Sequence, residues 1–255
     1  PALNDFALGP SIRIARHIPD AGFTSPIAYG DIMKFLYRHP TIKVLDLLEI
    51  APPPNESPEG RFVSRKPLLL ELQNLRTDAL FAQWMIAEKR GDVSALHTLT
   101  LSLFPVYLDV FDTSIWGFFH SSQLHKTAQL VFEFMHCSME LETWLRSQLP
   151  LSESPLAHLV GLHRLGIRSM GRFATEIWSS DCGGHDSLRD VFHAWLNLFP
   201  NLEELEIKVG SEMVGTNVQG DLNGQTIARI VGRLCPRVKR VILGAETIDV
   251  EGISD

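Results

Sequence analysis

The stretch Pro200-Asn201-Leu202-Glu203-Glu204-Leu205-Glu206-Ile207 decides how this chain is read. Counted from the proline, apolar residues fall at offsets +2, +5 and +7, with acidic residues among them. Offsets +5 and +7 are two apart, so in an extended strand they share one face, while +4 and +6 look the other way. Offset +2 marks the tightening of the chain as it turns into the strand. Proline cannot sit inside a helix, so it ends whatever helix came before. Just upstream, Val191-Phe192-His193-Ala194-Trp195-Leu196 has apolar residues near helical spacing. The unit is helix, turn, strand.

The same offsets recur on both sides of this stretch. Pro1 opens Leu3, Phe6 and Leu8; Pro40 opens Ile42, Leu45 and Leu47; Ser94 opens Leu96, Leu99 and Leu101. Val160 opens Leu162, Leu165 and Ile167, and Pro236 opens Val238, Val241 and Leu243. Two copies are incomplete. Pro67 opens Leu69 and Leu72 but then meets Asn74, with Leu75 one place late, and Met139 opens Leu141 and Trp144 but fails at Arg146. Helical spacing precedes several openings, at residues 31–37, 130–135 and 227–234. Intervals between openings run from 21 to 45 residues, which assigns the variation to loops such as the turn-rich residues 51–60, 179–186 and 210–224. Leucine, at 35 of 255 positions, is in marked excess, as a recurring apolar ladder requires. The expectation is a single α/β domain over residues 1–255 with about eight strand–helix units.

Composition narrows the role. Apolar residues make up 45% of the chain and charged residues 21%, which excludes a disordered or collagen-like protein. The net charge is −7 and no basic run exists beyond the interleaved residues 233–240, so nucleic acid is not an expected partner. No stretch of 18 uninterrupted apolar residues exists, so a membrane partner is not expected. Three widely spaced cysteines, Cys137, Cys182 and Cys235, argue against a disulfide framework and for a reducing compartment, cytoplasmic or nuclear. Pro1 stands where an initiator Met is expected, which is consistent with a processed form or a fragment lacking an upstream domain.

The pattern resembles leucine-rich repeats, whose L-x-x-L-x-L core lies on a parallel strand lining a horseshoe. Residues 35–47, 196–207 and 136–144 further resemble repeats of fungal F-box-associated proteins. The resemblance implies an open leucine-rich-repeat solenoid with irregular repeats, a parallel β-sheet on the concave face and helices outside. It also implies the substrate-binding part of an F-box-type ubiquitin ligase receptor, with a Skp1-type adaptor as partner only if an F-box lies upstream of Pro1.

In that arrangement the +4 and +6 residues form the concave row. They are Asp5 and Ala7, Val44 and Asp46, Glu71 and Gln73, Thr98 and Thr100. The row continues with Thr143 and Leu145, Arg164 and Gly166, Glu204 and Glu206, Arg240 and Ile242. Mixed charge suits a protein partner, of unknown identity, better than a phosphate backbone. The candidate docking residues are Asp46, Glu71, Gln73, Thr98, Thr100, Arg164, Arg168, Glu204, Glu206 and Arg240, with Arg164 and Arg168 as the local anchor.

Sites of chemistry are weaker. Gly166-Ile167-Arg168-Ser169-Met170-Gly171 has one residue too many for a nucleophile elbow. Asp181-Cys182-Gly183-Gly184-His185-Asp186 lacks the second Cys/His pair that a zinc site uses, and His120/His125 and His158/His163 are five apart, not four. No phosphate loop or dinucleotide fingerprint occurs, so no catalytic residue, metal or cofactor is expected. Two alternatives remain: a (β/α)₈-barrel enzyme, since eight strand–helix units fit that count, and a free-standing scaffold unrelated to ubiquitin.

Overall fold

The computed structural model describes residues 11–15, 29–48, 71–78, 82, 95–103, 129–134, 145–146, 149, 154–169, 186–209 and 224–250. Among the described residues nine strands run β1 (Ser11–Ala15), β2 (Val44–Leu48), β3 (Asn74–Asp78), β4 (Thr98–Leu103) and β5 (Gln129–Phe134), then β6 (Arg164–Ser169), β7 (Glu204–Val209), β8 (Arg240–Leu243) and β9 (Glu246–Asp249). They form one sheet in sequence order, parallel from β1 to β8, with β9 antiparallel at the end. The edges β1 and β9 do not meet, so this is an open sheet and not the closed barrel weighed from the sequence. Three α-helices are described: α1 (Tyr29–Arg38), α2 (Asp186–Leu196) and α3 (Gly224–Leu234).

The offsets explain the sheet. In register, Leu45 aligns with Leu75, then Leu99, Leu130, Leu165, Leu205 and Val241, each 2% exposed or less. The +2 residues Ile42, Leu72, Leu96, Leu162, Leu202 and Val238 are buried as well. A turn closes at this position, where the N–H of Ile42 donates to His39 O (3.4 Å) and that of Val238 to Cys235 O (2.9 Å). Pro40 and Pro236 occupy the second place of those turns, where a fixed φ is favourable. One carbonyl at offset +3 then accepts two N–H groups from the next strand. Lys43 O takes Gln73 and Asn74, Gln73 O takes His97 and Thr98, His163 O takes Glu203 and Glu204, and Glu203 O takes Lys239 and Arg240. Asn201 Nδ2 adds a bond to Val160 O at 2.7 Å.

The helices cover one face of the sheet. Ile32 and Leu36 of α1, Val191, Phe192, Trp195 and Leu196 of α2, and Ile227, Ala228 and Val231 of α3 join the inward strand residues in one core. Each set follows helical spacing. Trp195 is the hub: its ring lies 5.4 Å from Phe132, 5.1 Å from Phe199 and 5.9 Å from Phe192.

Several expectations are corrected. Residues 130–134, part of the segment 130–135 read as helical, belong to β5. Of the Met139 copy, Leu145 and Arg146 are helical where a strand was expected, and residues 139–144 lie outside the described residues. The strand that pairs with β2 at the start of the sheet is Ser11–Ala15, while the Pro1 copy, with Asp5 and Ala7, lies outside the described residues. In β3 the frame moves by three: Leu72, Leu75 and Thr77 point inward. The Pro67 frame would have turned Asn74, with its amide, into the core, whereas this one buries only the small Thr77 hydroxyl there. Glu71 and Gln73 therefore precede the strand, and Asn74 and Arg76 take the outward places.

Close to the C-terminal end, Glu246–Asp249 supply β9. A two-residue turn, Gly244-Ala245, reverses the chain, with Gly244 at φ 61°. Left-handed φ favours glycine and tolerates asparagine. Gly244→Ala should lower stability by about 1 kcal/mol and Gly244→Asn by less, read as midpoints of urea unfolding; equal midpoints for wild type and Gly244→Ala would contradict the turn. The charged edge of β9, with Glu246 and Asp249 exposed, discourages further strand addition.

Cys235, buried just after α3, has its thiol pKa pushed by burial from 9.0 to about 12. The folded state keeps the proton while the unfolded chain sheds it above pH 9, so stability is fully present below that pH and falls as pH rises toward 12. Cys235→Ala should flatten this fall relative to wild type in urea titrations between pH 9 and 11. Identical pH profiles for the two proteins would contradict the assignment.

Candidate functional site

Opposite the core, the outward strand residues make an open face on which charges alternate. Arg76 of β3 reaches over β4 and grips Glu133 of β5 with two nitrogens, Nε to Oε2 at 2.9 Å and Nη2 to Oε1 at 2.7 Å. Its third nitrogen, Nη1, lies 3.2 Å from Asp46 Oδ2 on β2, and Ser102 Oγ donates to Glu133 Oε2 at 2.8 Å. Burial works against the Arg76 charge, but the hydrogen bonds and charge of Glu133, with Asp46, outweigh it and raise its pKa. Bidentate guanidinium–carboxylate pairs are among the stronger side-chain bonds.

A second bridge skips β6. Gln129 Nε2 of β5 donates to Glu206 Oε2 of β7 at 3.0 Å, and Thr98 Oγ1 donates to Gln129 Oε1 at 3.4 Å. Each bridge spans two inter-strand spacings, about 10 Å, and each passes a small residue on the intervening strand. Thr100 lies between Arg76 and Val131 in register, and Gly166 between Val131 and Glu206. A Cβ on Gly166 would come within 2.8 Å of Val131 Cγ2. Val131 itself is 1% exposed yet stands outside the core cluster, an apolar side chain buried on the polar face.

Toward β8 the pattern becomes ion pairs. Glu204, almost fully buried, lies between Arg164 and Arg240, with the Arg240 Nη2 contact at 3.1 Å, and Lys208 pairs with Glu206. Thr98, Thr100, Arg164, Arg168, Glu204, Glu206, Arg240 and Asp46 all occupy outward strand positions, as their spacing predicted. Thr100 and Glu204 are nonetheless buried, because long neighbouring side chains cover them. Asn74, Arg76, Gln129, Val131, Glu133 and Lys208 join the face and were missed. The alternation Leu130, Phe132, Phe134 was the available signal for β5.

The Asp181–His185 part of the Cys/His loop lies outside the described residues. Among the described residues no group of three or more His, Cys, Asp or Glu is placed to hold a metal ion, and no helix is long and apolar enough to cross a membrane. Compared with protein-family models, curated proteins and solved structures, the chain finds no match in any of the three.

Proposed function

We propose that this chain is a non-catalytic protein-recognition module that docks its partner on the open sheet face. The observation that carries the reading is the bonded lattice of Arg76, Glu133, Gln129 and Glu206, on the sheet face opposite the core and reaching from β3 to β7. Ordering long polar side chains costs conformational entropy. A face that has already met this cost binds with less loss of freedom, the advantage of preorganisation. The sequential parallel sheet, with the described helices on one side, supports an open leucine-rich-repeat horseshoe in which the lattice lines the concave side. By resemblance, the partner is the substrate of an F-box-type ubiquitin ligase receptor; a free-standing scaffold is the competing role within the same fold.

A photo-cross-linking residue tests the face. Placed at Thr98 or Ile242 on the open side, it should capture a discrete protein from native lysate, and placed at Arg229 on α3 it should not. Adducts at Arg229 alone would contradict the assignment.

A further inference from the structure

We propose that the face over β6–β8 receives an extended acidic segment of the protein partner, with a carboxylate seated on the Arg168 guanidinium. This deepens the docking reading and rests on it. Arg76, Arg164, Lys208 and Arg240 each have a carboxylate within ion-pair distance. Arg168, half-buried on the same face, has no such partner among the described residues. Its neighbours in register are Glu133 and Lys208. Glu133 is already committed to Arg76 and Ser102, and Lys208 to Glu206, so neither completes Arg168. A half-buried guanidinium has lost part of its water and keeps a planar fork of donors suited to a carboxylate.

The surroundings favour the same occupant. Across β6–β8 the outward charges are Arg164, Arg168, Lys208 and Arg240 against Glu204 and Glu206, a local excess of two positive charges on a chain of net charge −7. Screening length at physiological salt is about 8 Å, so this patch, and not the total charge, governs a docked segment. A nucleic acid fits less well, because Glu204 and Glu206 stand among the cations and would repel a regular row of phosphates.

The test selects a random dodecapeptide library on the immobilised full chain and compares variants by fluorescence anisotropy. Enriched peptides should carry an excess of Asp and Glu, bind Arg168→Gln at least about tenfold more weakly, recover part of that loss with Arg168→Lys, and bind Arg229→Gln as they bind wild type. Thermal unfolding of Arg168→Gln alongside wild type verifies that the fold is kept. Peptides without an acidic excess that Lys208→Ala still weakens would overturn the acidic segment and leave the docking face standing. Peptide binding indifferent to both Arg168→Gln and Lys208→Ala, or no selectable binder, would overturn both. An oligothymidine probe bound through Arg168 more tightly than the peptides would give the face to nucleic acid and overturn the proposal.

Discussion

Trp195→Ala should lower the unfolding free energy by about 4 kcal/mol, the upper part of the range for removing a large buried aromatic side chain. The indole is fully buried, packs edge-on against Phe132 and Phe199, and lies near parallel to Phe192. It joins α2 to the middle of the sheet at β5. Truncation removes the transfer term and leaves a void bounded by three rings that cannot all move in. Trp195→Phe keeps most of the volume and should cost roughly half as much or less. Urea unfolding followed by far-UV circular dichroism reads both variants. A loss below about 1 kcal/mol for Trp195→Ala would mean that α2 does not sit on β5 as described.

The second large effect is expected on the open face. Arg76→Ala leaves the Glu133 carboxylate nearly buried and held only by Ser102, and should cost about 2 to 3 kcal/mol. That lies below the range for a fully buried pair because the Arg76 side chain is 23% exposed and solvent screens part of the field. Replacing both partners, Arg76→Leu with Glu133→Leu, removes the stranded charge and should recover much of the loss. A double-mutant cycle measures the coupling directly. If each single variant costs under about 0.5 kcal/mol and the coupling vanishes, the bridge contributes nothing to the order of the face.

The readable part of this fold was its inward side. Leu202, Leu205 and Ile207 sit at fixed offsets from a helix-ending proline, and burial plus the two-residue period of a strand leaves them one orientation. Where the pattern misled, a particular residue was responsible. Val131 fills an outward place with an apolar side chain, so Leu130-Val131-Phe132 loses its alternation and resembles a helix segment. Four leucines between positions 69 and 75 admit two frames, and only the cost of turning the Asn74 amide inward chooses between them. With β5 placed at Gln129 and β3 at Asn74, the starts of the parallel strands β1 to β8 fall 24 to 40 residues apart, a narrower spread than the sequence openings showed.

The outward side was harder to read for a geometric reason. Arg76 and Glu133 are 57 residues apart, and Gln129 and Glu206 are 77 apart. Their bridges depend on the register of five strands and on small residues passing beneath, so no local spacing announces them. Arg164 and Glu204 were legible because they face each other on adjacent strands whose frames were read correctly.

The most direct test of the account compares two charge-reversed forms of the full chain as baits against wild type, each verified to unfold at the wild-type midpoint. One carries Arg168→Glu and Lys208→Glu on the open face; the other carries Arg229→Glu and Arg233→Glu on the exposed side of α3. Quantitative mass spectrometry of what each retains from native lysate should show the wild-type partner lost, by at least about tenfold, from the first bait and kept by the second. Retention by the open-face variant, with loss from the α3 variant, would contradict it.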